Sequence, residues 1–173
     1  MKFDVIVGNP PYQGAKSTDS TGGKAPTIWP KFVSVLDEQL KSDGVMVLVH
    51  PSMYRKPGNT LQRILYNNNR QLHIYNSAEG VQTFKAGTRY DWYVIDKTYN
   101  GPTMVYFEDV TVAEVDLRTI DFLPNGSWDI WSKVLSSGLE TLRPHKVSTT
   151  TVTGDGVYEV CHTYTETLGL VVE

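Results

Sequence analysis

The residues best suited to chemistry lie near the amino terminus, in the stretch Asn9-Pro10-Pro11-Tyr12. This stretch follows residues 4–8, a mainly apolar run of the kind that forms a buried parallel strand. The Asn9 side-chain oxygen and the Pro10 carbonyl can accept two hydrogen bonds from one amino group, and Tyr12 can stack on a ring. Accepting both protons keeps the nitrogen lone pair out of ring conjugation and makes the nitrogen a better nucleophile. The stretch therefore predicts a site for a planar substrate that carries an amino group.

The surrounding sequence alternates strand and helix patterns, which predicts an α/β layered fold. In such folds ligands bind outside the carboxyl ends of the strands, where Asn9-Pro10-Pro11-Tyr12 lies. A first helix is expected to begin at Pro30 and to end at Gly44, and a second one to cover about residues 59–69. The predicted strands are residues 4–8, 45–50, 72–75 and 89–98, and the predicted loops are residues 13–26 and 76–88.

After residue 100 the pattern changes to alternating apolar and polar residues, typical of antiparallel strands with one wet face. The sequence thus predicts two parts, residues 1–100 and a β-rich extension at residues 101–173. The extension is expected to contain a helix at 127–138 and a hairpin at 149–160. The first part has 12 basic and 8 acidic side chains, and the extension has 4 and 11. Only the first part is therefore suited to a polyanion such as nucleic acid.

Composition excludes several classes of protein. The chain is 40% hydrophobic and 20% charged, as in ordinary globular proteins. No apolar run approaches the roughly 20 residues of a membrane helix, and the amino terminus does not have the pattern of a signal peptide. Cys161 is the only cysteine, which excludes a disulfide framework and a cysteine-based zinc site, and the four histidines lack metal-ligand spacing. We therefore expect a cytoplasmic protein without a bound metal.

The stretch FDVIVGNPPY resembles the catalytic motif of S-adenosylmethionine-dependent amino-methyltransferases. Two later segments, DGVMVLVHPSMYRKPGNTLQRIL and GVQTFKAGTRYDWYVIDK, are similar to segments of adenine-N6 DNA methyltransferases, especially those of type IIG restriction–modification enzymes. The resemblance covers roughly residues 2–98 and implies a partial Rossmann-like methyltransferase sheet. It assigns residues 9–12 to the catalytic motif, and Phe84 to the second side chain that stacks on a flipped adenine.

Several basic residues are predicted to share the rim of the sheet with the catalytic motif. As a cluster they favour contacts with the phosphates around a flipped nucleotide, whereas any one of them alone is better explained as ordinary solvated loop charge. They are Arg55, Lys56, Lys85 and Arg89, together with Lys16 and Lys24 of the first loop.

The cofactor-binding half of such an enzyme is not recognisable in the sequence. By the resemblance, a glycine-rich turn and a ribose-binding acid should precede the catalytic motif, and Gly22-Gly23-Lys24 lacks the spacing of a phosphate loop. We therefore expect the chain alone to bind S-adenosylmethionine weakly or not at all, and to need an upstream segment or a companion chain. Two interpretations stay open: a fragment or subunit of a methyltransferase, and an inactive relative that only binds nucleic acid or protein.

The resemblance also predicts the strand order 4–8, 45–50, 89–98, 72–75, with 89–98 antiparallel to its neighbours. This order leaves Val5–Val7 on an open apolar edge, which proteins seldom leave unprotected. We expect a second copy of the chain, residues 101–173 or a companion subunit to cover it.

A different enzyme class shares the catalytic tetrapeptide, namely the protein glutamine-N5 methyltransferases, because an amide nitrogen poses the same chemical problem. In that class an acidic, proline-containing stretch usually follows the motif. Here residues 13–17 are basic and glycine-containing, which favours DNA as the substrate.

Overall fold

The computed structural model describes residues 1–15 and 25–136. The chain divides into two compact units, Met1–Trp131 and Ser132–Glu173. The strands are β1 (Phe3–Gly8), β2 (Leu40–Pro51), β3 (Asn69–Tyr75), β4 (Tyr90–Asp96), β5 (Thr103–Tyr106) and β6 (Val112–Val115). The helices are α1 (Trp29–Gln39), α2 (Gln62–Leu65), α3 (Ser77–Phe84) and α4 (Trp128–Ser136), with 3₁₀ turns at Ser52–Arg55 and Leu117–Thr119. The predicted α/β class is confirmed.

The strands form one mixed sheet in the order β1-β2-β4-β3-β5-β6. β1 runs parallel to β2, and β4 runs antiparallel to both β2 and β3, which confirms the order predicted for the first four strands. β5 pairs with β3 in parallel and with β6 in antiparallel orientation. The boundary predicted near residue 100 thus falls inside the first compact unit, because strands on both sides of it belong to one sheet.

One face of this sheet carries the core, and the other face is more open. Ile6, Met46 and Tyr93 point into the core, where Val33 of α1 and Leu65 of α2 cover them. On β1 the alternate side chains face the other way, and Phe3, Val5 and Val7 are 40%, 62% and 74% exposed. In the described part of the chain β1 is also the end strand of the sheet. The motif strand therefore has both an unpaired edge and an uncovered apolar face.

The first helix ends earlier than predicted. α1 stops at Gln39, and Leu40 already pairs with Phe3 in the β1–β2 ladder, so strand hydrogen bonds replace helical ones before Gly44 is reached. Gly44 instead lies inside β2 beside β1, where an added Cβ would lie 3.0 Å from the Asp4 carbonyl oxygen. This glycine permits a close approach of two strands and does not terminate the helix.

The second predicted helix is shorter in the structure. The segment expected to be helical from residue 59 contains only the four-residue α2, preceded by turns. α4 is described to Ser136, and the rest of the predicted extension, including the hairpin at 149–160, lies outside the described residues. None of the described helices combines the length and the apolar character that crossing a membrane requires.

Candidate active site

The tetrapeptide Asn9-Pro10-Pro11-Tyr12 follows β1 at the carboxyl end of the strand. Gly8 pairs with Leu48, so the tetrapeptide lies beside the end of the parallel strand β2. Asn9 and Pro11 are exposed and Pro10 is buried. The two prolines lack an N–H group and keep the chain extended, so the ladder stops here. The Asn9 amide is thereby presented at the end of the sheet where ligands of α/β folds bind.

Main-chain contacts fix Tyr12 against the start of α1. Its carbonyl oxygen accepts a hydrogen bond from the Ile28 N–H at 3.1 Å. The next residue, Gln13, forms an antiparallel bridge with Thr27. These contacts close the base of the first loop, and they hold the Tyr12 backbone independently of what its ring contacts.

Phe84 is the last residue of α3, a helix that the sequence prediction assigned to a loop. The Asn76 side chain accepts hydrogen bonds from the N–H groups of Ala78 at 2.9 Å and Glu79 at 3.0 Å. In return, the Glu79 carboxylate accepts one from the Asn76 N–H at 3.0 Å. This reciprocal capping box starts the helix. Its spacing, Asn followed three residues later by Glu, is the signal that would have revealed α3.

The chain turns back sharply after Phe84. Lys85 adopts the left-handed backbone conformation, with φ at 57°, and its N–H donates to the Val81 carbonyl at 3.1 Å. The loop that follows lies directly against Gly80, where an added Cβ would overlap the Thr88 carbonyl oxygen. Only a glycine permits this close packing, which leads the chain from α3 into β4.

The structure brings Tyr12 and Phe84 together. Their ring centroids are 6.2 Å apart, and the ring planes meet at 74°, an edge-to-face arrangement. The Tyr12 hydroxyl is buried and has no hydrogen-bond partner among the described residues. Burial raises the pKa of Tyr12, and the neighbouring Tyr90 raises it further, so the phenol is neutral at physiological pH. An uncharged aromatic surface thus lies beside the Asn9-Pro10 carbonyl groups.

Two tyrosines that the sequence analysis did not single out complete the aromatic cluster. The Tyr90 ring contacts the Phe84 ring edge to face, with centroids 4.8 Å apart. Tyr75 stacks on Tyr90 at 4.9 Å with an angle of 5° between the planes. The pair forms because Tyr75 lies directly opposite Tyr90 in the β3–β4 register. The sequence alone does not give this register, so it could not indicate that Tyr75 and Tyr90 form a pair.

A buried histidine joins the helical layer to the end of β2. His50 stacks on Trp29 with ring centroids 4.3 Å apart. Its Nδ1 lies 3.0 Å from the Pro51 carbonyl oxygen, and its Nε2 lies 2.9 Å from the Tyr93 hydroxyl. Burial lowers the pKa of His50 to about 4, so the ring is neutral near pH 7. Nδ1–H therefore donates to Pro51, and Nε2 accepts from the Tyr93 hydroxyl.

Arg55 occupies a structural position, contrary to the predicted phosphate contact. It is 5% exposed, and its Nε donates to the Asp91 carboxylate at 2.8 Å. Its Nη atoms donate to the carbonyl oxygens of Leu123 and Pro124 and to the Asn125 side chain, at 2.7–3.2 Å. These contacts occupy the guanidinium inside the fold, so this conformation does not allow a phosphate contact. Nothing local in the sequence indicates this, because Asp91 lies on β4, far from Arg55 along the chain.

The other predicted phosphate contacts lie on the surface. Lys56 and Lys85 are exposed. Arg89 is also exposed, and its guanidinium forms an ion pair with Glu108. The two lysines of the first loop lie outside the described residues. Lys56 and Lys85 thus remain phosphate candidates in the described part, whereas a phosphate at Arg89 would compete with Glu108.

A comparison with protein families agrees with the motif. Residues 1–84 match the Eco57I restriction-modification methylase family. The resemblance to restriction–modification methylases is thereby confirmed for the part of the chain that contains Asn9-Pro10-Pro11-Tyr12 and ends at Phe84. A search of curated proteins finds no match.

Solved structures are similar to the chain at low scores. One, described as bearing on complex assembly and conformational transition of the type I R-M system, has a TM-score of 0.48 and 14% identity, over 98% of this chain and 43% of that one. The type I restriction enzyme EcoKI M protein has a TM-score of 0.44 and 15% identity, over 61% of this chain and 25% of that one. A modification subunit of a putative type I restriction enzyme from Vibrio vulnificus YJ016 has a TM-score of 0.43 and 15% identity, over 81% of this chain and 32% of that one. The chain thus spans less than half the length of each.

The outer side of β1 is where the resemblance places the cofactor-binding part. β1 ends the sheet in the described part of the chain, so no described strand lies on the side where the resemblance places the glycine-rich turn. Within residues 1–15 and 25–136 there is also no group of three His, Cys, Asp or Glu side chains that could hold a metal ion. What these residues do supply is an amide, a carbonyl and an aromatic pair.

Proposed function

We propose that this chain carries the catalytic part of an S-adenosylmethionine-dependent DNA methyltransferase that acts on the N6 amino group of a flipped adenine. The observation that carries the proposal is the joint placement of Asn9, Tyr12 and Phe84 at one end of the sheet, with the two rings 6.2 Å apart. The match of residues 1–84 to a restriction-modification methylase family supports it. We further propose that the protein acts in the cytoplasm.

The chemistry assigned to the chain is the preparation of an amino group. The Asn9 Oδ1 and the Pro10 carbonyl each accept one N–H of the adenine amino group, which directs the nitrogen lone pair away from the ring. No basic side chain is needed before transfer, because the proton can leave once the nitrogen is cationic. S-adenosylmethionine supplies the methyl group.

The aromatic pair must change its geometry to admit a base. A base stacked between two rings needs about 3.5 Å on each face, so the rings must be parallel and about 7 Å apart. In the structure the rings are edge to face at 6.2 Å. Since the Tyr12 backbone is held by Ile28, ring rotation at Tyr12 or Phe84 opens the space. Base–aromatic stacking, worth roughly 1–3 kcal/mol per base, then offsets part of the unstacking cost.

We propose that the cofactor-binding part belongs to another segment or to a companion chain and docks on β1. The outer edge of β1 has no described partner, and Val5 and Val7 are 62% and 74% exposed. A partner strand would satisfy the free backbone groups, and apolar side chains of the partner would cover the open face. A second copy of this chain could pair with the same edge, and light scattering separates the two outcomes.

The test of the proposed function measures methyl transfer from labelled S-adenosylmethionine by the chain together with its cofactor-binding part. The substrates are duplex DNA and a glutamine-containing release-factor peptide. The proposal predicts label in DNA, released by nucleoside digestion as N6-methyladenine. Label in the peptide alone would identify a glutamine-N5 methyltransferase, and label in neither would identify an inactive binding module. Calorimetry on the chain alone should show no micromolar binding of S-adenosylmethionine.

A further inference from the structure

We propose that Tyr90 is a positioning residue that sets the orientation of the Phe84 ring, and so prepares the space in which Phe84 and Tyr12 receive a planar base. The inference deepens the proposed function and rests on it for the identity of the base. The geometry of the aromatic cluster supports the inference, and it can be tested without knowing which base binds.

Tyr90 is held rigidly from three sides. Its backbone lies at the start of β4, opposite Pro51 of β2 on one side and opposite Tyr75 of β3 on the other. Its side chain is 6% exposed, and the Tyr75 ring stacks on it at 4.9 Å, nearly parallel. A residue paired on both sides and stacked on one face is a fixed reference point for its neighbours.

Phe84 lies outside the sheet, and its ring meets the rings of Tyr12 and Tyr90. It is half-buried at the last position of α3, just before the left-handed turn at Lys85. Tyr90 contacts this helix end through two groups. Its ring meets the Phe84 ring edge to face at 4.8 Å, and its hydroxyl lies 3.2 Å from the Thr83 Oγ1. Tyr90 therefore orients the aromatic ring at a helix end whose backbone is already placed by the packing at Gly80.

Tyr90 also influences the other aromatic residue of the pair. Its hydroxyl acts electrostatically on the Tyr12 phenol, whose pKa is raised first by burial and then by Tyr90. The centroid of the Phe84 ring thus lies 4.8 Å from that of Tyr90 and 6.2 Å from that of Tyr12. When a base separates Phe84 from Tyr12, the contact with Tyr90 keeps the Phe84 ring in place.

The consequence for function is preorganisation. Without the Tyr90 ring, Phe84 samples several rotamers, and a base has to order it on binding. That cost reduces the affinity for the target base and leaves Asn9 and Pro10 unchanged. We therefore expect a change in KM for DNA that is larger than the change in kcat.

The experiment uses the chain together with its cofactor-binding part and compares wild type with Tyr90→Leu, Tyr90→Phe and Tyr99→Leu. Tyr99 is the matched control, because it follows the opposite end of β4 and its hydroxyl donates to the Pro102 carbonyl. Tyr90→Leu should raise KM for DNA about three- to tenfold, the range of one aromatic pair. Tyr90→Phe, which keeps the ring, should restore KM to within about twofold of wild type. Tyr99→Leu should leave KM unchanged.

A double-mutant cycle separates positioning from general destabilisation. If Tyr90 acts through Phe84, Tyr90→Leu should add nothing to the KM of Phe84→Leu, whereas independent effects would multiply. Should Tyr90→Leu fail to fold, Tyr90→Met replaces it, since methionine fills irregular space. An unchanged KM in the folded variant, or multiplying effects in the cycle, would overturn the inference.

A second measurement does not depend on enzymatic activity. Fluorine NMR of the chain labelled with 4-fluorophenylalanine reports on the Phe84 ring, with the signal assigned through Phe84→Leu. We expect this signal to move or broaden in Tyr90→Leu and to stay in place in Tyr99→Leu. If it responds in this way while wild type transfers no methyl group, the proposed function fails and the positioning role stands. If wild type is active and the signal does not respond, the positioning role fails alone.

Discussion

Replacing Gly80 by alanine should displace the loop that follows Phe84. In the structure a Cβ at Gly80 would overlap the Thr88 carbonyl oxygen and lie 3.0 Å from the Ala86 carbonyl oxygen. Both obstacles are backbone atoms, which cannot rotate away as a flexible side chain would. The loop or the helix therefore has to shift, and Phe84 shifts with it.

The expected loss of stability follows from two opposing effects. Overpacking against backbone costs about 1–3 kcal/mol, and we expect the upper end because two carbonyl groups are involved. Alanine stabilises a helix by about 1 kcal/mol relative to glycine, which offsets part of that cost. The net loss should be about 2 kcal/mol in the free energy of unfolding, which lowers the urea midpoint by about 1 M.

The assay is urea unfolding followed by tryptophan fluorescence, with Gly87→Ala as the control in the same loop. A Cβ at Gly87 would meet only the Val81 Cγ2, at 3.8 Å, an ordinary contact. We therefore expect Gly87→Ala to keep the wild-type midpoint. The close packing of α3 against the loop would be refuted if Gly80→Ala were as stable as wild type. It would also be refuted if both variants lost the same amount of unfolding free energy.

Three further results are expected. Asp91→Asn should destabilise the fold by about 3–5 kcal/mol in thermal or urea unfolding, because it leaves the buried Arg55 without its counterion. Wild-type stability of this variant would contradict a stabilising role of the ion pair. Burial lowers the pKa of His50 to about 4 from 6.5, so the unfolded chain takes up this proton first as pH falls. Unfolding free energy should therefore fall by about 1.4 kcal/mol per pH unit between pH 6.5 and 4, and His50→Gln should lack this component of the slope. In the complete enzyme, Asn9→Ala should lower kcat about 10²–10³-fold, whereas Tyr12→Ala should also weaken DNA binding by about 1–3 kcal/mol; wild-type rates in both would make the motif structural.

The sheet was predictable because strand patterns and the family resemblance agree. The apolar runs at residues 4–8 and 45–50 identify two parallel neighbours, and the observed order confirms their place beside β4. Helix ends were less predictable. Gly44 has the residue type of a helix stop, but pairing of Leu40 with Phe3 ends α1 before it is reached. Tertiary hydrogen bonds outweighed the local signal.

The candidate site shows a similar division between local and long-range information. The location of Asn9 and Tyr12 at the end of β1 follows from local sequence. The burial of Arg55 does not, because its partner Asp91 is on a distant strand. The contact between Tyr90 and Phe84 likewise depends on how α3 packs on the sheet. The sequence thus located the motif, whereas only the fold shows which side chains pack around it.

The most direct test of the central claim is single-molecule sequencing of genomic DNA from source cells that carry either the wild-type or the Asn9→Ala allele. We predict N6-methyladenine at one recognition sequence in wild-type DNA, and loss of that mark in the Asn9→Ala strain because the amino group loses one acceptor. The same mark at the same sites in both strains would contradict the account, since the amide at the end of β1 would then take no part in methylation.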